Sequence, residues 1–123
     1  MSATMTDFRI EEAAPGVVVA VFEGDHDVAT SREIRQILGA LVEDYRVVVA
    51  DLSAAGFIDS AILHALTETL GAARAHGHDF RLQLATAYGV RMALECSGLL
   101  AAIPWYETRE EAVSEVRRVD LAE

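Results

Sequence analysis

The chain has 123 residues, of which 52% are hydrophobic and 24% are charged, and these proportions are ordinary for one compact globular domain. Its formal net charge is −10, and all ten cationic residues are arginine. This excess of negative charge repels phosphate backbones and anionic lipids, so the composition argues against direct nucleic-acid binding. The absence of lysine from the sequence excludes a Walker-type phosphate lysine, a Schiff base and a lysine general base.

The sequence also indicates the compartment. No apolar run approaches the ~20 residues that a membrane-spanning helix requires. The N-terminus lacks the basic and apolar segments of a signal peptide. Cys96 is the one cysteine, which excludes an intramolecular disulfide and agrees with a reducing environment. We therefore expect a cytoplasmic protein without membrane insertion.

The N-terminal part of the chain predicts a hairpin followed by a helix. After a flexible tail over residues 1–7, Phe8–Glu12 alternates with Phe8 and Ile10 on one face, and Val17–Phe22 forms the second strand. A polar loop over Gly24–Asp27 then breaks the pattern. Thr30 and Glu33 make a capping box for a helix that ends near Asp44. The apolar face of that helix consists of Ile34, Ile37, Leu38, Leu41 and Val42.

A strand, a turn and a helix follow at the centre of the chain. Val47–Ala50 is a β-branched run typical of a buried strand, and Asp51 ends it in a structural role. Ser53–Gly56 has the composition of a turn. Asp59 and Ser60 lie where a helix must begin, because both side chains can accept hydrogen bonds from the free N–H groups of a first turn. The helical stripe comprises Ile62, Leu63, Leu66, Leu70 and Ala73, and Gly77 is suited to a left-handed cap after it.

The remaining elements are shorter. A strand is predicted by the alternation of apolar Phe80, Leu82 and Leu84 with more polar residues. Thr86 is expected to cap the next helix, which Gly98 terminates. That helix carries Val90, Met92, Ala93 and Leu94. Ile103–Tyr106 predicts a short last strand. Thr108 and Glu111 form a second capping box, for a final helix with Ala112, Val113, Val116 and Val119 on its apolar stripe.

The predicted order is therefore β-β-α-β-α-β-α-β-α. Strands separated by helices are joined by crossovers, which makes much of the sheet parallel. We expect an α/β domain over residues 8–119, with a mixed, mostly parallel sheet of four to five strands and four helices. Residues 120–123 are expected to form a C-terminal tail.

Patterns for catalysis and cofactor binding are weak. His76 and His78 are two neighbouring histidines without the four close ligands of a structural zinc site. Ser60 opens a helix after a strand, but its neighbours do not form the G-x-S-x-G of a nucleophile elbow. Gly56 stands alone after its strand, without a dinucleotide-binding fingerprint. Cys96 is expected to be a packed small hydrophobic residue. The sequence predicts no metal, no cofactor and no catalytic residue.

The chain resembles a STAS domain of the anti-sigma factor antagonist family over about Phe8–Val119. A response-regulator receiver domain, in which Asp51 would accept phosphate, is excluded for two reasons. Such a domain requires a lysine, which this chain lacks, and it begins with a strand followed by a helix, whereas this chain begins with two consecutive strands. The segments that carry the STAS resemblance are Phe22–Asp27 with Ala29-Thr30, Val49–Ser53, Phe57–Ser60, Leu94–Leu99 and Glu110–Ala112. The resemblance implies a non-catalytic protein that binds an anti-sigma factor, often a kinase, and thereby frees a sigma factor for transcription.

One position departs from the family. The resemblance implies a phospho-acceptor hydroxyl one residue after the serine of a D-S-[ST]-G-L motif, and here that motif is Asp59-Ser60-Ala61-Ile62-Leu63. Alanine cannot be phosphorylated, so we expect the ordinary phospho-switch to be missing at Ala61. Ser60 is either a substitute acceptor or only a helix cap.

The resemblance and the loop residues together predict a partner-binding surface. Alternatives remain for several members: Asp25 and Asp27 as turn formers, Phe57 as a core residue, and His64 as a solvated helix residue. A homodimer, a STAS subunit of a membrane transport or sensory complex, and a small-molecule sensor also remain open. The predicted surface comprises Asp25, Asp27, Gly56, Phe57, Asp59, Ser60, Ala61 and His64.

Overall fold

The computed structural model describes residues 8–26, 28–84 and 88–114. The strands are β1 (Phe8–Ala14), β2 (Val17–His26), β3 (Val47–Ile58), β4 (Asp79–Gln83) and β5 (Trp105–Tyr106). The helices are α1 (Val28–Asp44), α2 (Ser60–Ala75), α3 (Tyr88–Ser97), α4 (Leu99–Ala102) and α5 (Arg109–Val113). The predicted tails, together with Asp27, Thr86, Val116 and Val119, lie outside the described residues.

The five strands form one sheet in the order β1-β2-β3-β4-β5. β1 runs antiparallel to β2 as the edge of a hairpin, and the other neighbouring pairs are parallel. The helices between the parallel strands serve as the crossovers. The prediction of an α/β domain with a mixed, mostly parallel sheet is confirmed, and α4 is a helix that the sequence did not predict.

The core lies on both faces of this sheet because alternate residues of β2 and β3 point to opposite sides. One face packs against α1, α2 and α3, with Phe22, Leu38 and Leu66 among its fully buried side chains. The other face is smaller and packs against α5, where Val19 and Val49 are fully buried. The predicted helical stripes are confirmed, with Ile34, Leu38 and Val42 of α1 and Ile62, Leu66, Leu70 and Ala73 of α2 all buried.

The central strand is longer than predicted, and the proposed turn over Ser53–Gly56 is wrong. β3 continues to Ile58 because β2 extends beside it to His26. Gly24, Asp25 and His26, which were expected to form part of a polar loop, therefore belong to β2. Two register shifts, together with a positive φ of 74° at Gly24, absorb the irregular spacing without ending either strand.

Two predictions near the N-terminus are also wrong. Ile10 is 42% exposed although Phe8 is buried, because β1 is an edge strand and only its beginning packs on the aromatic ring of Phe22. Helix α1 begins at Val28, so Thr30 lies inside the first turn and is not the N-cap. At the other end, Thr108 caps α5 as predicted, with its hydroxyl accepting from the Glu111 N–H at 3.2 Å.

The more polar face of β4 is buried beneath α5. Arg81 is 1% exposed, and its Nη1 donates to the backbone carbonyl oxygens of Ala112 (2.8 Å) and Ser114. A cation at the carboxyl end of a helix satisfies carbonyls that have no partner within that helix. This contact fastens the last described helix to the sheet.

Candidate docking surface

The centre of the predicted surface is the N-terminus of α2. Asp59 has an extended backbone and is the N-cap, with Oδ1 accepting from the N–H groups of Ala61 (2.9 Å) and Ile62 (3.3 Å). The Asp59 N–H donates to the carbonyl oxygen of His26 at 3.3 Å. Because His26 ends β2, this bond fixes the start of α2 directly over the carboxyl ends of β2 and β3.

The prediction that Ser60 caps this helix is wrong. Ser60 is the first helical residue, one position after the cap, and it is exposed. The carboxylate of Asp59 takes the capping position because it precedes the first helical residue and has the extended backbone that a cap requires. Within the described parts of the chain, no hydrogen bond engages the Ser60 hydroxyl.

A second part of the surface is formed where β2 and β3 run side by side. Asp25 pairs with Phe57 in the register of the two strands. The Asp25 carboxylate also packs over Gly56, since a Cβ at Gly56 would lie only 2.8 Å from Asp25 Oδ1. Phe57 is 53% exposed, which excludes the alternative that it is a core residue. Exposed Phe57 and acidic Asp25 thus lie on neighbouring strands, next to the helix start.

Helix α3 adds residues that the sequence analysis did not include. A Cβ at Gly89 would lie 3.8 Å from the Gly56 carbonyl oxygen, so the first turn of α3 borders the same surface. Met92, which the sequence places on this helix, is 42% exposed. The signal was present in the spacing. Val90 and Leu94 point inward and are four residues apart, whereas Met92 lies halfway between them on the opposite side.

The remaining residues occupy different environments. His64 lies one helical turn beyond Ser60, and its Nε2 is 3.0 Å from Glu68 Oε2 on an exposed helix face. It therefore stands at the margin of the surface. Cys96 is exposed on α3, so the prediction of a packed cysteine is wrong. Asp27 belongs to the predicted surface but lies outside the described residues.

Asp51 lies deeper in the sheet and has a structural environment. It is buried within β3, where Oδ1 accepts from the N–H and the hydroxyl of Ser53 at 2.9 and 2.6 Å. Its other carboxylate oxygen is 3.3 Å from Nη2 of Arg109 on α5. Asp51 is thus satisfied inside the fold and is separated from the exposed surface by the last residues of β3.

Other chemistry was sought in the same residues. Over 8–26, 28–84 and 88–114, no group of three or more His, Cys, Asp or Glu side chains is placed to hold a metal ion. No helix in those ranges is long and apolar enough to cross a bilayer. A half-open groove of about 580 Å³ runs between the end of α2, the start of β4 and α4, and its lining includes Arg74, His78 and Trp105. That groove lies at the end of the sheet away from the N-terminus of α2.

The protein is thus an α/β domain with an exposed helix N-terminus at one end of its sheet. Phe57 and Asp25 lie on the strand ends that adjoin this helix start. The STAS domain family model matches residues 10–112. The chain therefore belongs to the STAS domain family. No curated protein sequence matches it.

Several solved structures share this fold. An anti-sigma factor antagonist from Mycobacterium paratuberculosis is 28% identical, with a TM-score of 0.75 over 85% of this chain and 88% of that one. The phosphorylated form of the Bacillus cell fate determinant SpoIIAA is 20% identical, with a TM-score of 0.70 over 89% and 99% of the two chains. A sulfate transporter family protein from Wolinella succinogenes is 18% identical, with a TM-score of 0.71 over 84% and 86%.

Proposed function

We propose that this STAS domain is a non-catalytic protein-binding module that acts as an anti-sigma factor antagonist. Its partner is an anti-sigma factor, in many cases a kinase-like protein, and the contact is made by the N-terminus of α2 with the adjoining ends of β2 and β3. Such a module works beside the transcription machinery, so the proposal places it in the cytoplasm. The structural likeness to antagonists such as the mycobacterial protein supports this assignment.

The observation that carries the proposal is the exposure of Phe57. An aromatic side chain that is 53% exposed, in a strand whose first six residues are buried, is unfavourable in the isolated monomer. Aromatic residues with this placement are frequent anchors in protein interfaces. Asp25, the register partner of Phe57 on β2, supplies negative charge at the same strand ends. The overall charge of −10 then steers a partner with a basic face.

The proposal also includes a constitutive mode of action. At the position that matches the family's phospho-acceptor, Ala61 offers no hydroxyl, and its N–H is held by the Asp59 carboxylate at 2.9 Å. A phosphate there would face this carboxylate at close range. The ordinary off-switch is therefore missing, and any regulation by phosphate has to use the exposed Ser60.

The test is a binding measurement with purified anti-sigma factors from the organism that encodes the chain. Truncation of Phe57 to alanine should weaken binding by about tenfold or more, as expected for an interface anchor. Ile10→Ala is the matched control, because Ile10 is also a large exposed hydrophobic residue but lies on the edge strand. Equal losses for both variants, or no binding by any anti-sigma factor, would contradict the proposal.

The alternative is a STAS subunit of a transport complex, in line with the Wolinella neighbour, which is a sulfate transporter family protein. At 18% identity that likeness concerns the fold alone. Co-purification with a membrane transporter, insensitive to Phe57→Ala, would favour this alternative over the antagonist.

A further inference from the structure

The starting observation is a row of alternating charges that crosses β1, from Glu23 on β2 to Arg109 on α5. Arg9 Nη1 is 2.7 Å from Glu23 Oε2, and Arg9 Nε donates to Glu11 Oε2 at 2.8 Å. Arg109 Nη1 then donates to the other Glu11 oxygen at 2.6 Å. The bond from Arg109, followed by that from Arg9, lowers the pKa of Glu11. The Glu11 carboxylate is therefore held in its charged form at neutral pH.

Two members of this row, Arg9 and Glu11, belong to β1, which is the edge strand of the sheet. β1 is the first strand in the sheet order, and among the described residues only β2 pairs with it. Edge strands present free backbone N–H and C=O groups, and charged side chains ordinarily protect them from unwanted pairing. Here Arg9 is 53% exposed at its side chain, and Ile10 is 42% exposed between the two charged residues.

The charges of this edge are self-complementary. If two β1 strands pair antiparallel about a two-fold axis at Ile10, Arg9 lies opposite Glu11 of the second copy, and Ile10 lies opposite Ile10. Opposite charges and paired β-branched residues both stabilise antiparallel neighbours. Positive and negative side chains then continue to alternate from one copy to the other across the axis.

We propose that the β1 edge is a self-association surface, through which two copies of this chain join their sheets around Ile10. A register shift between Glu12 and Ala14 limits the pairing to the first residues of β1. The interface is consequently small, and two copies that each carry −10 repel one another. Both facts make the dimer weak and concentration-dependent.

This association leaves the docking surface open. The antiparallel arrangement turns the two β2 strands in opposite directions, so the two α2 N-termini lie at opposite ends of the joined sheet. Self-association and partner binding therefore use different residues. Each of them can be lost without the other.

The first experiment is the molar mass of the full chain by sedimentation equilibrium between about 10 µM and about 1 mM, the range in which weak interfaces associate. The wild type should shift toward twice the monomer mass. Ile10→Glu should abolish that shift, because it places two carboxylates directly opposite each other across the axis. Met92→Glu is the matched control, since Met92 is also 42% exposed, and it should leave the shift unchanged.

A second experiment traps the pair covalently. In a Cys96→Ser background, which removes the exposed native thiol, Ile10→Cys should form an intermolecular disulfide under mild oxidation. Directly opposite residues of antiparallel strands have Cα atoms about 4.5–5.5 Å apart, within the disulfide range. Met92→Cys should cross-link much more slowly. A monomer at every concentration, equal cross-linking at both positions, or a dimer that Ile10→Glu leaves intact would overturn the proposal.

Discussion

Replacing Asp59 by alanine should destabilise the domain measurably, because this residue is the N-cap of the helix that carries the proposed docking surface. The change removes the acceptor for the N–H groups of Ala61 and Ile62, at 2.9 and 3.3 Å. Loss of an N-cap acceptor costs about 1 kcal/mol, within a range of roughly 0.5–2 kcal/mol. For a domain of this size the loss corresponds to about 4 °C in the melting temperature.

Two further variants separate the causes of this loss. Asp59→Asn keeps an acceptor at the cap and loses only the charge beside the helix dipole, so it should cost about 0.3–1 kcal/mol. Ser60→Ala removes a hydroxyl without a described hydrogen bond and should change stability by less than about 0.5 kcal/mol. Urea denaturation followed by circular dichroism measures all three. If Ser60→Ala costs as much as Asp59→Ala, the assignment of the cap is refuted.

Two other predictions concern charge and modification. Arg109 and Arg9 lower the pKa of Glu11, so its carboxylate stabilises the folded state above its ordinary pKa, and this contribution is lost as the pH falls through the lowered value. Glu11→Gln should therefore lower the free energy of unfolding by about 0.5 kcal/mol at pH 7. It should also reduce the fall of the urea midpoint with pH below about pH 4. Glu12→Gln is the control and should behave as the wild type does. Ala61→Ser should restore the family's acceptor, so incubation with a partner kinase should add one phosphate by intact mass, and the wild type should gain none except at Ser60. A phosphate on the wild type elsewhere in α2 would contradict the alignment of the motif.

Sequence reasoning succeeded where a local pattern and the tertiary contacts agree. The β-branched run Val47–Val49 lies buried in the centre of the sheet, and the stripe from Ile62 to Ala73 faces the core. Gly77 has the predicted positive φ, at 73°. Each of these features depends on periodicity or on the conformational freedom of one residue, and both can be recognised in a short segment.

The failures arise where a distant part of the chain decides the outcome. Ser53–Gly56 has the composition of a turn, but pairing with β2 keeps it extended up to Ile58. Ile10 alternates as a core residue would, yet no helix covers that part of the edge strand in the described chain. Strand pairing and helix coverage are non-local, so composition alone does not report them.

The docking surface shows the same division. The sequence identified Asp25, Gly56, Phe57 and the start of α2 as neighbours of one helix end, and the structure places them together. The exposure of Met92 was not predicted, because the predicted helix had no fixed orientation. Its exposed position follows only once Val90 and Leu94 are seen to face inward.

The central claim is that the amino end of α2 and the adjoining strand ends contact another protein. The most direct measurement is a titration of isotope-labelled chain with its purified anti-sigma factor, followed through the backbone amide resonances. The account predicts that the amides of Asp25, Gly56, Phe57 and Ser60 shift or broaden, while those along the groove at Arg74 and Trp105 stay unchanged. Perturbations confined to the groove, with the start of α2 unaffected, would contradict it.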